Sequence, residues 1–284
     1  MKIMTKVPEV QEYVKKLKKR GNTIGFVPTM GYLHEGHISL VEKAAAETQK
    51  VIVSIFVNPT QFGPNEDFGK YPRNEKRDLK MLKATKKVSC VFMPDRAEMY
   101  ADDFATYVNM ENYMTGILEG ASRPGHFRGV TTVVAKLLNI VQPDKLFLGQ
   151  KDFQQAAILT QMVKDMNYPA SVVICPTVRE KDGLAMSSRN TYLSEAERQE
   201  ALIIFKSLQM AESMIELGEH DAEAVLKEIR RKIKEANVEI DYVEAFDAIT
   251  LKKVDKFTEK SVIAIAAMVG KTRLIDNTII EIKI

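Results

Sequence analysis

Two histidines three residues apart, His34 and His37, stand at the end of the run P-T-M-G-Y-L-H-E-G-H at positions 28–37. This run joins an apolar stretch of strand type at 23–27 to residues 38–46, whose spacing and composition are helical. If the helix has begun by then, both imidazoles share one face of its first turn. There they lie beside backbone N–H groups without intrahelical partners and the positive end of the helix dipole. Phosphate is a natural ligand of such a place. Gly31 and Gly36 let backbone approach a ligand closely, and imidazole can donate a hydrogen bond or a proton to oxygens that gain charge. The same spacing also fits half of a metal site, or two histidines that cap and solvate a helix start. Only His126 and His220 remain elsewhere and the H-E-x-x-H of a zincin helix is missing, which weakens the zinc reading and leaves a carboxylate-rich metal site open.

The elements that must hold these histidines follow in order. Residues 7–20 form an amphipathic helix with Val10, Tyr13, Val14 and Leu17 on its apolar side, ended by Gly21-Asn22. Residues 51–57 are a continuous β-branched run, the pattern of a parallel strand covered on both faces, and they end at N-P-T-Q-F-G. A helix is expected at 76–86, a strand at 88–93, a helix at 130–141, a short strand at 146–148, a helix at 153–166 and a strand at 171–175. Such alternation implies a parallel sheet with right-handed crossovers, which binds ligands beyond the carboxyl ends of its strands. His34 and His37 follow the first strand, Asn58 and Gln61 the second, and Lys151, Asp152 and Gln155 a later one, so all three polar clusters should converge on one crevice. G-x-G-x-x-G and G-x-x-x-x-G-K-[ST] are both absent, so phosphate handling falls to histidine, lysine and loop backbone.

Downstream, residues 184–190 form the polar loop L-A-M-S-S-R-N. Ser187, Ser188 and Arg189 offer hydroxyls and a forked cation suited to gripping a polyphosphate as a closing lid; the alternative is an interdomain linker. Ser194-Glu-Ala-Glu197 reads as a capping box for the next helix. Helices at 195–217 and 222–235, then strands at 240–246, 261–267 and 272–284, make a small α+β domain. The whole chain of 284 residues is 45% hydrophobic without an apolar run of about 18 or more, which points to a globular protein of two domains with no membrane partner. Its 41 basic and 38 acidic residues leave a net charge of only +3, too little for a nucleic-acid footprint. Cys90 and Cys175 lie in apolar strand-like runs where a buried reduced thiol is expected, and the amino terminus lacks a signal peptide, which together indicate a cytoplasmic location.

Taken together, five motifs resemble those of the pantoate–β-alanine ligase (pantothenate synthetase) family, in that family's order and over essentially the whole chain. They are P-T-M-G-x-L-H-E-G-H at 28–37, F-V-N-P-x-Q-F at 56–62, R-P-G-H-F-x-G-V at 123–130, G-x-K-D-x-Q-Q at 149–155 and D-G-L-A-M-S-S-R-N at 182–190. That family belongs to the nucleotidyltransferases related to class I aminoacyl-tRNA synthetases, so H-E-G-H is similar to their H-I-G-H and residues 186–189 to their mobile phosphate loop. The resemblance implies a Rossmann-like nucleotidyltransferase domain at 1–180, a C-terminal α+β lid domain at 181–284, and a homodimer. It implies ATP-dependent condensation of (R)-pantoate with β-alanine through pantoyl adenylate, with Mg2+ accompanying ATP and its protein ligands unassigned. ATP would be met by Met30, Gly31, Tyr32, Leu33, His34, Glu35, Gly36 and His37, by Gly149, Gln150, Lys151 and Asp152, by Val178, and by Met186, Ser187, Ser188 and Arg189. Gln61 and Gln155 would hold pantoate, and Gln61 would also meet β-alanine. Catalysis would fall to His37 as proton donor, with His34 and Lys151. Many members of the family have Glu where this chain has Gln150, which leaves that side chain without a role. Other readings that share these features are a different nucleotidyltransferase and a nucleotide-binding regulator without catalysis.

Overall fold

Several of the largest fully buried side chains, Ile24, Phe26, Ile52, Phe92, Leu146 and Phe147, stand on parallel strands. In the computed structural model, which describes residues 1–64 and 66–282, these strands form a six-stranded sheet. Its order is β1 (Lys2–Met4), β4 (Val88–Phe92), β3 (Lys50–Ile55), β2 (Ile24–Thr29), β5 (Lys145–Gly149) and β6 (Ser171–Cys175), every neighbouring pair being parallel. One face is covered by α1 (Val7–Lys19), α6 (His126–Val141) and α7 (Phe153–Asp165), which pack on Phe26, Ile52, Phe92 and Leu146. The other is covered by α2 (Glu35–Glu47) and α3 (Glu75–Thr85), against Val27, Val51, Val53 and Phe147. Burial on both faces is why these strands read as continuous apolar runs.

From β2 the chain winds through β3 to β4 on one side, and from β5 to β6 on the other. The order therefore reverses between β2 and β5, where Gly25 pairs with Lys145. In doubly wound sheets ligands bind beyond the carboxyl ends of the strands at such a reversal. The histidine run begins there.

One expectation is corrected in this half, and one element carries no sequence signal. Helix α6 starts at His126 rather than at 130, because its first turn packs on the turn at Pro59–Gln61: a Cβ on Gly129 would come within 2.2 Å of the Thr60 carbonyl oxygen. Polar residues that look like loop are thus pulled into the helix by tertiary contact. Strand β1, three residues at the sheet edge, is too short to leave a periodic signal.

The chain divides into two compact units, Met1–Gly149 with Gln154–Pro176, and Gln150–Phe153 with the chain from Thr177 onward. In the second unit α8 (Glu195–Glu216) and α9 (Ala222–Ile233) pack with the antiparallel sheet of β7 (Val238–Asp247), β8 (Lys260–Val269) and β9 (Thr272–Glu281). Ser194 caps α8: its hydroxyl accepts the Glu197 N–H at 3.3 Å, and Glu197 accepts the Ser194 N–H at 2.8 Å. Strand β9 closes at Glu281, and positions 283–284 of the expected last strand lie outside the described residues. The fold is α/β, a Rossmann-like sheet followed by a smaller α+β unit.

Candidate active site

The histidine run is shaped by a carboxylate 45 residues downstream. Gly31 turns the chain at φ +84, a conformation glycine adopts without strain, and Tyr32 follows at φ 49. Asp78 on α3, with its side chain 2% exposed, accepts the Tyr32 N–H at 2.7 Å and the Leu33 N–H at 2.8 Å. Thr29 joins the loop to β3 by donating to the Ser54 carbonyl at 2.8 Å. Only with this loop fixed does α2 start at Glu35 with His34 as its extended N-cap.

Within that first turn the two imidazoles stack at 4.1 Å between ring centroids. The His34 N–H donates to His37 Nδ1 at 3.2 Å. A ring nitrogen that accepts cannot carry the proton of the neutral imidazole, so in the neutral ring His37 holds it on Nε2, which is then a hydrogen-bond donor. Asp78→Ala is expected to cost about 3 kcal/mol, since it leaves two buried N–H groups unpaired. Chemical denaturation measures it; a loss below about 1 kcal/mol would contradict this role for Asp78.

The end of β3 builds a second cluster in the same unit. Asn58, 1% exposed, donates from Nδ2 to Gln61 Oε1 at 3.0 Å and to the Gly129 carbonyl at 3.1 Å, while its Oδ1 accepts the Tyr100 hydroxyl at 2.8 Å. This fixes which end of the Gln61 amide faces where. Gln61 Nε2 then points to Met30 Sδ at 3.1 Å. Thioether sulfur is a weak acceptor, so a ligand carboxylate or hydroxyl would displace it at a net gain. Met30 itself is half-buried rather than core filler.

Beneath Gln61 lies a charged relay. The Arg123 guanidinium pairs with Glu66 through two bonds of 3.0 and 2.6 Å and stands 3.1 Å from His126 Nε2, while His126 Nδ1 lies 2.8 Å from the Gln61 carbonyl oxygen. Arginine only donates, so Nε2 accepts and Nδ1 carries the proton to Gln61. Burial, and then the charge of Arg123, push His126 down to about 4. For Glu66 burial acts upward, and the hydrogen bonds and charge of Arg123 outweigh it, holding the carboxyl below its ordinary value. An unfolded imidazole titrates near 6.5. The stabilisation from neutral His126 is therefore complete above that pH and is lost as pH falls toward 4, by roughly 3 kcal/mol. Urea unfolding of His126→Gln should show a correspondingly flatter pH dependence between those limits; an unchanged slope would contradict the assignment.

The glutamine doublet on α7 divides its tasks. Gln154 is buried and structural, donating to the Met114 and Ile117 carbonyls at 2.7 and 2.8 Å and accepting the Glu119 N–H at 3.0 Å. Gln155, the next residue, is half-buried and turned about 100° round the helix.

In the second unit, Gln150–Asp152 forms a single 3₁₀ turn in which Lys151 Nζ lies 3.5 Å from Asp152 Oδ1. The Gln150 side chain turns to Asn277, donating to its Oδ1 at 3.2 Å. The expected lid is better built than a loose loop. Residues 178–186 fold back on themselves through Glu180 N–H to Leu184 O at 2.8 Å and Met186 N–H to Val178 O at 3.0 Å. Ser187 then caps the 3₁₀ turn Ser188–Tyr192 by accepting the Arg189 N–H at 3.2 Å, and Ser188 is buried.

The chain matches the family model described as pantoate-beta-alanine ligase over residues 2–279. It belongs to the pantoate–β-alanine ligase family. Among the curated relatives in this family, the pantothenate synthetase of Thermotoga petrophila is 52% identical over 281 residues, covering 99% of this chain and 100% of that one. That of Acetivibrio thermocellus is 51% identical over 283 residues, with 99% and 100% covered. The crystal structure of pantothenate synthetase from Thermus thermophilus superposes with a TM-score of 0.93 at 39% identity, covering 98% of this chain and 99% of that one. The pantoate-beta-alanine ligase of Francisella tularensis, solved in complex with beta-gamma ATP and beta-alanine, has a TM-score of 0.80 at 37% identity over 98% and 97%.

For a ligase of this family, several working residues escape sequence reasoning. Asp78 follows an arginine and looks like a solvated helix acid or a metal ligand, yet both its oxygens are committed to backbone N–H groups. Among the described residues no group of three or more His, Cys, Asp or Glu gathers to hold a metal ion. Both cysteines are free and buried, and burial pushes the Cys90 thiol up to about 12, which makes it inert as a nucleophile.

Proposed function

We propose that the chain joins (R)-pantoate to β-alanine at the expense of ATP, in two steps. A pantoate carboxylate oxygen attacks the α-phosphorus; the new P–O bond forms as the α–β anhydride bond breaks, and pyrophosphate leaves. The β-alanine amine then attacks the acyl carbon of pantoyl adenylate, the C–N bond forms, the acyl C–O bond to phosphate breaks, AMP leaves, and the amine proton passes to solvent. The observation that carries this reading is the contact of Gln61 Nε2 with Met30 Sδ. It brings the end of β3 to the histidine loop at the end of β2, so a carboxylate held by Gln61 stands next to a helix start suited to phosphate.

In this reading the loop from Met30 through Gly31, Tyr32, Leu33, His34, Glu35 and Gly36 to His37 binds ATP. So do Gly149 to Asp152, Val178 and the segment of Met186, Ser187, Ser188 and Arg189. Gln61 and Gln155 hold pantoate, Gln61 also meets β-alanine, and Mg2+ arrives on the triphosphate. His37 donates from Nε2, with His34 beside it and Lys151 offsetting charge on the leaving phosphates. A homodimer and a cytoplasmic location are proposed with it; the reduced, buried Cys90 and Cys175 support the latter, and light scattering tests the former. Among the described residues no helix is long and apolar enough to cross a membrane. The test is stoichiometric: ATP, pantoate and β-alanine should give AMP and pantothenate one for one. AMP released without pantothenate would contradict the proposal.

A further inference from the structure

Strand β9 carries two adjacent polar residues in its interior, Asp276 at 5% and Asn277 at 3% exposure. Strand neighbours point to opposite faces, so the pair reaches in two directions. Buried polar groups destabilise a core unless they are satisfied, and here the partners are particular. Asn277 Nδ2 donates to the carbonyls of Gln150 and Lys151 at 3.0 and 2.9 Å, and its Oδ1 accepts from Gln150 Nε2 at 3.2 Å. All three bonds end on the turn that presents Lys151. Asp276 instead takes the Arg179 guanidinium through bonds of 2.5 and 3.0 Å. Arg179 also donates to the Gly183 carbonyl at 3.2 Å, stacks 4.4 Å from the Phe205 ring, and bridges to Ala185 immediately before Met186. One dipeptide thus fastens both phosphate-handling segments of the second unit.

We propose that Asp276 and Asn277 are positioning residues that fix the Lys151 turn and the 186–189 segment at a set spacing before the triphosphate binds. The inference rests on the nucleotide role proposed above for those segments and gives the Gln150 side chain a task, as a strut to β9. Preorganised donors and cations act without reorganisation at the moment of reaction, and a displacement of about 1 Å can cost as much as 10²-fold in rate.

The experiment compares Asn277→Ala and Arg179→Lys with Leu274→Ala, a core truncation on the same strand. Each is assayed below its unfolding temperature for affinity toward a non-hydrolysable ATP analogue, for pantoate-dependent pyrophosphate–ATP exchange, and for pantothenate formation from supplied pantoyl adenylate and β-alanine. Asn277→Ala should lower exchange by about 30-fold and weaken the analogue, with pantoate KM within about twofold and the second half-reaction within about threefold. Arg179→Lys keeps the charge but loses the fork and should move the same quantities in the same direction; being partly exposed, it carries the test if Asn277→Ala fails to fold. Leu274→Ala should lose thermal stability and keep exchange. Variants that match Leu274→Ala in exchange and affinity, or that lose both half-reactions equally, would overturn the positioning role. A wild-type chain that binds the analogue but makes no adenylate would overturn the catalytic reading alone, and weakened analogue binding in the variants would still support the strap.

Discussion

Lys151→Ala is expected to lower pantoate-dependent adenylation by about 10²-fold, roughly 3 kcal/mol of transition-state stabilisation. The size follows from where the side chain starts. Its turn is held by the Asn277 amide through two backbone carbonyls, so the ammonium is delivered from a fixed base. Negative charge grows on pyrophosphate oxygens as the α–β bond breaks, and a cation already in place needs no reorganisation to meet it. Thermal unfolding should barely change, because the ion pair of the ammonium among the described residues is a 3.5 Å contact with an exposed Asp152. Initial-rate measurements at saturating ATP decide the matter; a variant within about threefold of the parent would remove Lys151 from this role.

His37→Ala should depress the first half-reaction by about 10²-fold and the second much less. The structure supplies the reason for the asymmetry. His37 receives the His34 N–H on Nδ1 and so presents Nε2–H from the first turn of α2, a place suited to phosphate oxygen rather than to an acyl carbon. Supplying preformed pantoyl adenylate with β-alanine bypasses the step that needs this donor. Equal losses in both half-reactions would assign His37 to the shared site as a whole and contradict a role specific to phosphate.

Much of this was legible in the residues themselves. The strands of the parallel sheet announce themselves as continuous apolar runs because both faces are covered, and H-x-x-H at a strand-to-helix handover can be read from spacing alone. The fold class, the buried thiols and the Ser194 cap follow from equally local signals. What escaped depends on partners distant in sequence. Asp78 acts on Tyr32 and Leu33, His126 on Gln61 and Asn277 on Gln150, contacts that no window of sequence contains. The first turn of α6 escaped for the same reason, since packing on Thr60 and Gln61 rather than apolar periodicity makes it helical. The segment at 186–189 reads from sequence as a polar loop, a closing lid or a linker, because serines and arginine favour solvent. Its order comes from hydrogen bonds of Asn190 to Glu180 and Ala185, and of Arg198 to Glu180 and Asp182.

A reaction that divides at a bound adenylate leaves a signature in isotope exchange. Activation requires only the carboxylate, ATP and the cationic groups, whereas the amine attacks afterwards at a site that must keep water from the mixed anhydride. Labelled pyrophosphate should therefore enter ATP when the enzyme is given ATP and pantoate alone, and omitting pantoate should abolish the exchange. Exchange that appears only when β-alanine is also present would contradict a pantoyl adenylate intermediate.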